Sequence, residues 1–338
     1  MAIATKTPIV STELGTLWMA YQKVSMMLKM MGYFTEKTSD KGAKKILASY
    51  VKEAEKLISE IENIFNGEKA VIPIAFDDND VRKDAPPLFD DMFHIMFLRI
   101  MMKISLGLNA LHFSMAIRKD VREFYERSYK SSEDTYNRCT DYLMEQGVLA
   151  KPPYITMPKE VEFIENADYV TGFKIFKNKR ALNTIEVAFI FYAIESNTMG
   201  INLMTGFAQV AKESEVKEYF IRGKELAKKI YSTYGDLLLQ SDIQPSGSWA
   251  GKATNSTIPP FSDKIMMFCS GIMSSYALGS NAVGASFSMR SDLPAKLILT
   301  SADTLAFAKE GGKIMIRHKW MEEPPQMEDR NQLTKTKK

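Results

Sequence analysis

Apolar residues recur at three- and four-residue steps along most of the chain. Leu14, Leu17, Tyr21, Val24, Leu28 and Met31 form one series, and Leu47, Val51, Ala54, Ile58, Ile61 and Phe65 form the next. At 3.6 residues per turn this spacing lines one face of a helix and leaves the rest to polar side chains. The pattern predicts helices over Ser11–Phe34, Lys41–Phe65, Pro87–Arg118 and Asp120–Gln146. It predicts four more over Asn183–Phe207, Glu213–Leu239, Phe261–Arg290 and Asp292–Lys319. Asp120 with Glu123 reads as a capping box for the fourth helix, and Asp292 takes the same place at the eighth. Pro152-Pro153 and Pro324-Pro325 read as stops, because proline lacks a backbone donor and fixes φ.

The two sets of four repeat one another. Pro152 and Pro324 lie 172 positions apart, and at an offset of 172 or 173 other segments match in the same order. "KEAEKLI" from Lys52 matches "KELAKKI" from Lys224, and "PPLFDD" from Pro86 matches "PPFSDK" from Pro259. "LGLNA" from Leu106 matches "LGSNA" from Leu278, and Arg118 and Asp120 match Arg290 and Asp292. An ordered series at near-constant offset is the mark of a duplicated unit.

Loop lengths choose the connectivity. Short links make the first and second helices of each half antiparallel neighbours, and likewise the third and fourth. About twenty residues join the second to the third, "NGEKAVIPIAFDDNDVRKDAP" in one half and "QSDIQPSGSWAGKATNSTIP" in the other. A 25-residue helix is about 38 Å long, a span that about a dozen extended residues can cover. The expected fold class is therefore all-α: two tandem ferritin-like four-helix bundles, each with a long crossover between its second and third helices. The expected domains are 1–158, a linker 159–182, a second bundle 183–327 and a flexible basic tail 328–338. Each bundle is expected to close its own core.

Composition narrows the function classes. The net charge of +3, with acids and bases interleaved, argues against a nucleic-acid surface. Two cysteines, Cys139 and Cys269, make no disulfide framework and fit a reducing compartment. The N-terminal segment has no apolar core of the kind a secretory signal needs, so a cytoplasmic or spore-associated location is expected. Ile265 to Met289 carries no charge, but its counterpart in the first half contains Arg99 and Lys103, so a buried core helix is expected and not a membrane span.

Candidate chemistry is sparse. A ferritin-like di-metal site needs inward glutamates and two Glu-x-x-His motifs. The histidines are His94, His112 and His318, and none recurs at the repeat offset. Carboxylates do recur: Glu13 with Glu186, Glu53 with Glu225, and Asp90 with Asp263. The one metal site that can be assembled uses Glu13, Glu53, Asp91 and His94 and would hold iron or manganese. The alternative reading makes these helix caps and a core-edge histidine, with no cofactor and no catalytic residue. The 22 methionines suit adaptable packing. Gly271, Ser275, Gly279, Gly284 and Ser286 on the seventh helix allow close helix approach or a cavity for an apolar small molecule.

The segments "TELGTLWMAY", "GYFTEK", "IPIAFDDNDV", "DAPPLFDD", "KPPYITMPKEVEFI", "LNTIEVAFIF", "GFAQVAKESEVKEYFIRGKELAKK" and "PPFSDKIMMF" together resemble the domain-of-unknown-function family numbered 3231, from spore-forming bacteria. Its members are often labelled spore-coat-like. The resemblance runs from about Ser11 to Met327. It implies tandem ferritin-like bundles and an association with the coat or with sporulation, and it brings no established activity or catalytic residue. The expected role is a non-enzymatic structural or interaction protein, with protein partners or self-association. The alternatives are a ferritin-like metal- or redox-handling protein and an apolar-ligand binder with its site in a bundle core.

Overall fold

The computed structural model describes residues 7–171, 179–245 and 251–335. Parts of the expected linker (172–178), of the second crossover (246–250) and of the tail (336–338) lie outside the described residues. The long helices are α1 (Ser11–Lys37), α2 (Lys41–Glu68), α3 (Asp91–Met115) and α4 (Lys119–Glu145), then α5 (Thr184–Val210), α6 (Ser214–Leu239), α7 (Asp263–Phe287) and α8 (Asp292–Arg317). A short α9 covers Arg330–Lys335, where a frayed tail was expected, and Asp329 accepts from the backbone of Asn331 and Gln332 at its start.

Each half consists of two antiparallel hairpins, α1–α2 with α3–α4 and α5–α6 with α7–α8. The first crossover runs the length of its bundle. Glu68, at the end of α2, pairs with Arg118 before α4, whereas Asp91, opening α3, accepts from the backbone of Ser39 and Asp40 at the far end of α2. The expected all-α tandem-bundle architecture is therefore the one found.

The helix ends differ from expectation in an instructive way. Asp120 and Asp292 do not cap α4 and α8; they pair with Arg118 and Arg290 two residues earlier, and neither N-cap residue makes a side-chain cap bond. The helices also stop before the proline pairs. Gly147 at φ 66° and Lys319 at φ 58° take the left-handed conformation just after α4 and α8. Around them Val148 N–H donates to Leu143 C=O and Gly147 N–H to Met144 C=O. At the other end Trp320 N–H donates to Met315 C=O and Lys319 N–H to Ile316 C=O. Both ends thus carry the same Schellman closure. Val148, Leu149 and Trp320 then pack against the core, while Met321 is half exposed.

The expectation of a closed core in each half holds only in part: one buried cluster belongs to the first half alone and one to the second, but the largest is shared. The shared cluster includes residues of all eight long helices and of both crossovers. Phe76 meets Phe268 at 5.0 Å between ring centroids, Tyr33 meets Phe261 at 5.1 Å, and Phe89 meets Phe207 at 6.3 Å. The crossovers also pair backbone to backbone, with antiparallel bridges Val81–Phe261 and Phe89–Ala253. The segment after α8 returns to the first half, where Glu322 accepts from the amides of Ile74 and Ala75. Helices α1 and α3 contact α7 and α5, an arrangement with the pseudo-two-fold symmetry that duplication implies. Helix α3 is long and apolar enough to cross a membrane, and 61% of its most apolar window is buried in this core.

Candidate functional site at the junction of the two bundles

The four residues of the candidate metal site are not brought together. Glu13 stands at the start of α1, where it accepts from the amides of Val10, Ile117 and Arg118. Its repeat partner Glu186 accepts from Asn183 and Arg290 amides and holds Arg180 through both oxygens. Asp91 clamps the turn before α2, and Asp263 clamps the equivalent turn through Lys212 and Glu213. By role Asp91 therefore matches Asp263, and Asp90 matches the α7 cap Ser262, correcting the expected pairing of Asp90 with Asp263. Glu53 lies on the surface with Lys56. His94 sits near Thr38, 25 positions from Glu13 along α1, which is about 38 Å at the helical rise. The recurring acids Glu13, Glu186, Asp91 and Asp263 are thus end clamps, and among the described residues no three His, Cys, Asp or Glu side chains converge as a metal cluster.

His94 is fully buried and stacked on Phe34 at 4.2 Å. The Thr38 hydroxyl donates to Phe34 C=O, so it accepts from His94 Nδ1, and Nε2 has no hydrogen-bond partner. Burial pushes the His94 pKa down to about 4, against the pull of the Asp91 and Asp90 charges. Cys139 and Cys269 are buried thiols, and burial raises both, Cys139 to about 12. Neither is primed as a nucleophile.

What the fold does assemble lies between the halves. A groove of about 590 Å³ runs along the junction of α1, α3, α5 and α7. Much of its wall comes in repeat-related pairs, Met19 with Tyr192, Gly107 with Gly279, Leu108 with Ser280, and Leu111 with Val283, and Phe189, Ile272, Ser275 and Tyr276 complete it. The "LGLNA" and "LGSNA" motifs therefore place a glycine on each side of the axis. A side chain at Gly107 would press the Tyr276 ring at 3.3 Å, whereas a Cβ at Gly279 would meet open space. A glycine inside a helix costs about 1 kcal/mol relative to alanine, and at Gly279 no close packing compensates.

Beside the groove is a second cavity of about 570 Å³, with Tyr192 lining both. Arg99, Lys103 and Glu195 form its largely buried charged floor, and the exposed Lys151 also lines it. Arg99 Nη1 donates to Glu195 Oε1 at 2.5 Å, Nη2 to the Tyr136 hydroxyl at 2.8 Å and Nε to Thr140 at 2.9 Å. Lys103 pairs with the other oxygen of Glu195 and stands over the Tyr192 ring at 4.3 Å. Tyr192 donates to the Tyr276 hydroxyl at 2.6 Å, and Tyr276 donates to Lys103 C=O. Burial works to raise the Glu195 pKa, but the Lys103 and Arg99 charges outweigh it and hold the carboxyl below its ordinary value. Burial lowers Lys103, which shares that one carboxylate with Arg99. Arg99 and Lys103 were visible as charges on an apolar helix, but their partner was not, because Glu195 lies 96 and 92 positions away and the set does not recur.

With this geometry in view, the chain can be placed among known proteins. It is a tandem helical-bundle protein, and it belongs to the family described as Protein of unknown function (DUF3231), which matches residues 1–161 and again 170–333. A solved structure from Bacillus halodurans C-125, named "putative spore coat protein", is similar at 17% identity and a TM-score of 0.41. The similarity covers 44% of this chain and 98% of that one. No curated protein matches the sequence.

Proposed function

We propose that the protein is a non-enzymatic binding protein whose ligand is a small molecule with an apolar body, held where the two bundles meet. One observation carries this reading: the groove of about 590 Å³ is walled by residues of both halves, among them the equivalent glycines Gly107 and Gly279. This reading moves the apolar-ligand site from a bundle core, where it was expected, to the contact between the bundles. Met19, Leu111 and Val283 are about half exposed along it, offering apolar surface that a ligand would cover. Each Å² of such surface removed from water is worth about 25 cal/mol, and concave, mostly apolar sites between helices are where small molecules bind.

Displacement of anilinonaphthalene sulfonate by dodecanol, followed by fluorescence, tests this. Wild-type protein is expected to bind both. Gly279→Leu, which fills the groove from a position with room for a side chain, is expected to weaken dodecanol by about tenfold or more while melting as wild type does. Undiminished binding by Gly279→Leu would remove the groove from consideration.

A structural or interaction role is the second reading, and the spore setting is the one implied by the sequence resemblance. It is supported by the segment between the bundles, where Tyr154, Met157, Val161 and Phe163 are 92%, 70%, 83% and 86% exposed. Apolar side chains displayed this way commonly mark contact sites. Sedimentation of the pure protein, together with its location in sporulating cells, tests it. A monomer found only in vegetative cells would contradict it.

A further inference from the structure

We propose that the ligand of the junction is an acid, and that Arg99 and Lys103 receive its single negative charge. The inference rests on the apolar-ligand reading above and adds the head group. Two cations share the Glu195 carboxylate, so the cluster carries one uncompensated positive charge in a largely buried place. A buried surplus charge is costly unless a counter-charge arrives. A carboxylate brings the cluster to neutrality, whereas a dianion would leave it negative.

Donors are available. A guanidinium has five N–H groups and an ammonium three. Arg99 uses one each for Thr140, Tyr136 and Glu195, and Lys103 uses one for Glu195. The cavity above them has apolar walls, among them Met144, Leu149, Pro152, Val187 and Phe191. A charged floor under apolar walls matches an amphipathic acid. Tyr192 borders both this cavity and the apolar groove, and the proposed ligand lies across that side chain, with its head in the cavity and its body in the groove.

The internal repeat supplies an independent argument. At the pseudo-symmetric positions the chain has Gln22, Gly271 and Ser275 in place of Glu195, Arg99 and Lys103. The three charges of the α3–α5 contact therefore have no counterparts at the equivalent positions of α1 and α7. The Arg99–Lys103–Glu195 cluster is an addition on one side only, beyond what the junction needs to form.

Calorimetric titration of the full chain with dodecanoate, dodecanol and dodecylamine at pH 7 tests the proposal. Dodecanoate is expected to bind about tenfold or more tighter than dodecanol, the scale of a charge-assisted hydrogen bond, and dodecylamine most weakly. Lys103→Met leaves the Arg99–Glu195 pair intact and is expected to fold, retain dodecanol binding and lose most of the preference for the acid. Glu195→Gln removes the competing carboxylate, and dodecanoate is expected to bind it more tightly than wild type and raise its melting temperature further. Equal binding of acid and alcohol, or an unaltered preference in Lys103→Met, would overturn the head-group assignment and leave the apolar groove standing. Binding of none of the three would overturn both.

Discussion

Lys319 and Gly147 occupy the same left-handed position at the ends of α8 and α4, and only one of them is a glycine. A side chain in that conformation costs about 1 kcal/mol or more. Lys319→Gly is therefore expected to stabilise the protein by about 1 kcal/mol in urea unfolding. The sequence pointed instead to the proline pairs, five residues further on, because a lysine gives no outward sign of left-handed backbone. The buried histidines set a pH dependence. Burial lowers both His94 and His112 to about 4, and the Lys23 charge adds to the effect at His112. Since the unfolded chain binds these protons near pH 6.5 and the folded chain only near 4, stability present above pH 6.5 is lost as pH falls between those values. The loss is roughly 3 kcal/mol for each histidine at most. Urea unfolding at pH 7 and pH 5 is expected to show it, with His112→Gln reducing the difference.

At the scale of elements, carboxylates hold the ends of the helices together. Glu186 secures the start of α5 to Arg180 and to the turn before α8 while fully buried. Glu186→Gln leaves Arg180 without its carboxylate partner and is expected to cost about 3 kcal/mol, read as a lower urea midpoint. Glu53→Gln touches only an exposed pair with Lys56 and is expected to change stability by less than about 0.5 kcal/mol. The recurrence of Glu13 and Glu186 was plain in the sequence, since a clamp needed at one bundle end is needed again in its copy. Their role was less plain, because a capping carboxylate and an inward metal ligand both fall near an apolar stripe. The α1–α2 and α3–α4 hairpins were legible for a simpler reason: short links and 3.6-residue periodicity leave few other ways to bury the stripes.

For the whole molecule, the duplication has joined two bundles through a shared central core, while each half keeps a smaller apolar cluster of its own. Phe89, Tyr33 and Phe76 of the first half rest on Phe207, Phe261 and Phe268 of the second. A fragment ending at Pro158 uncovers these rings and loses the paired crossovers. It is expected to stay helical by circular dichroism but to melt without cooperativity and to bind anilinonaphthalene sulfonate. Periodicity could not reveal the shared core, because it marks which face of a helix is buried and not which helix buries it. The groove was legible in part: small residues on α7 and the repeated glycine of "LGLNA" and "LGSNA" were visible, while their meeting across the pseudo-two-fold axis depends on the junction. The central claim is that this junction is a ligand site. The most direct measurement is a crystal structure of the protein soaked with bromododecanoate, with bromine located by its anomalous scattering. The account predicts a bromine peak in the groove between Gly107 and Gly279, with the carboxylate at Arg99 and Lys103. An empty groove with bromine elsewhere or absent would contradict it.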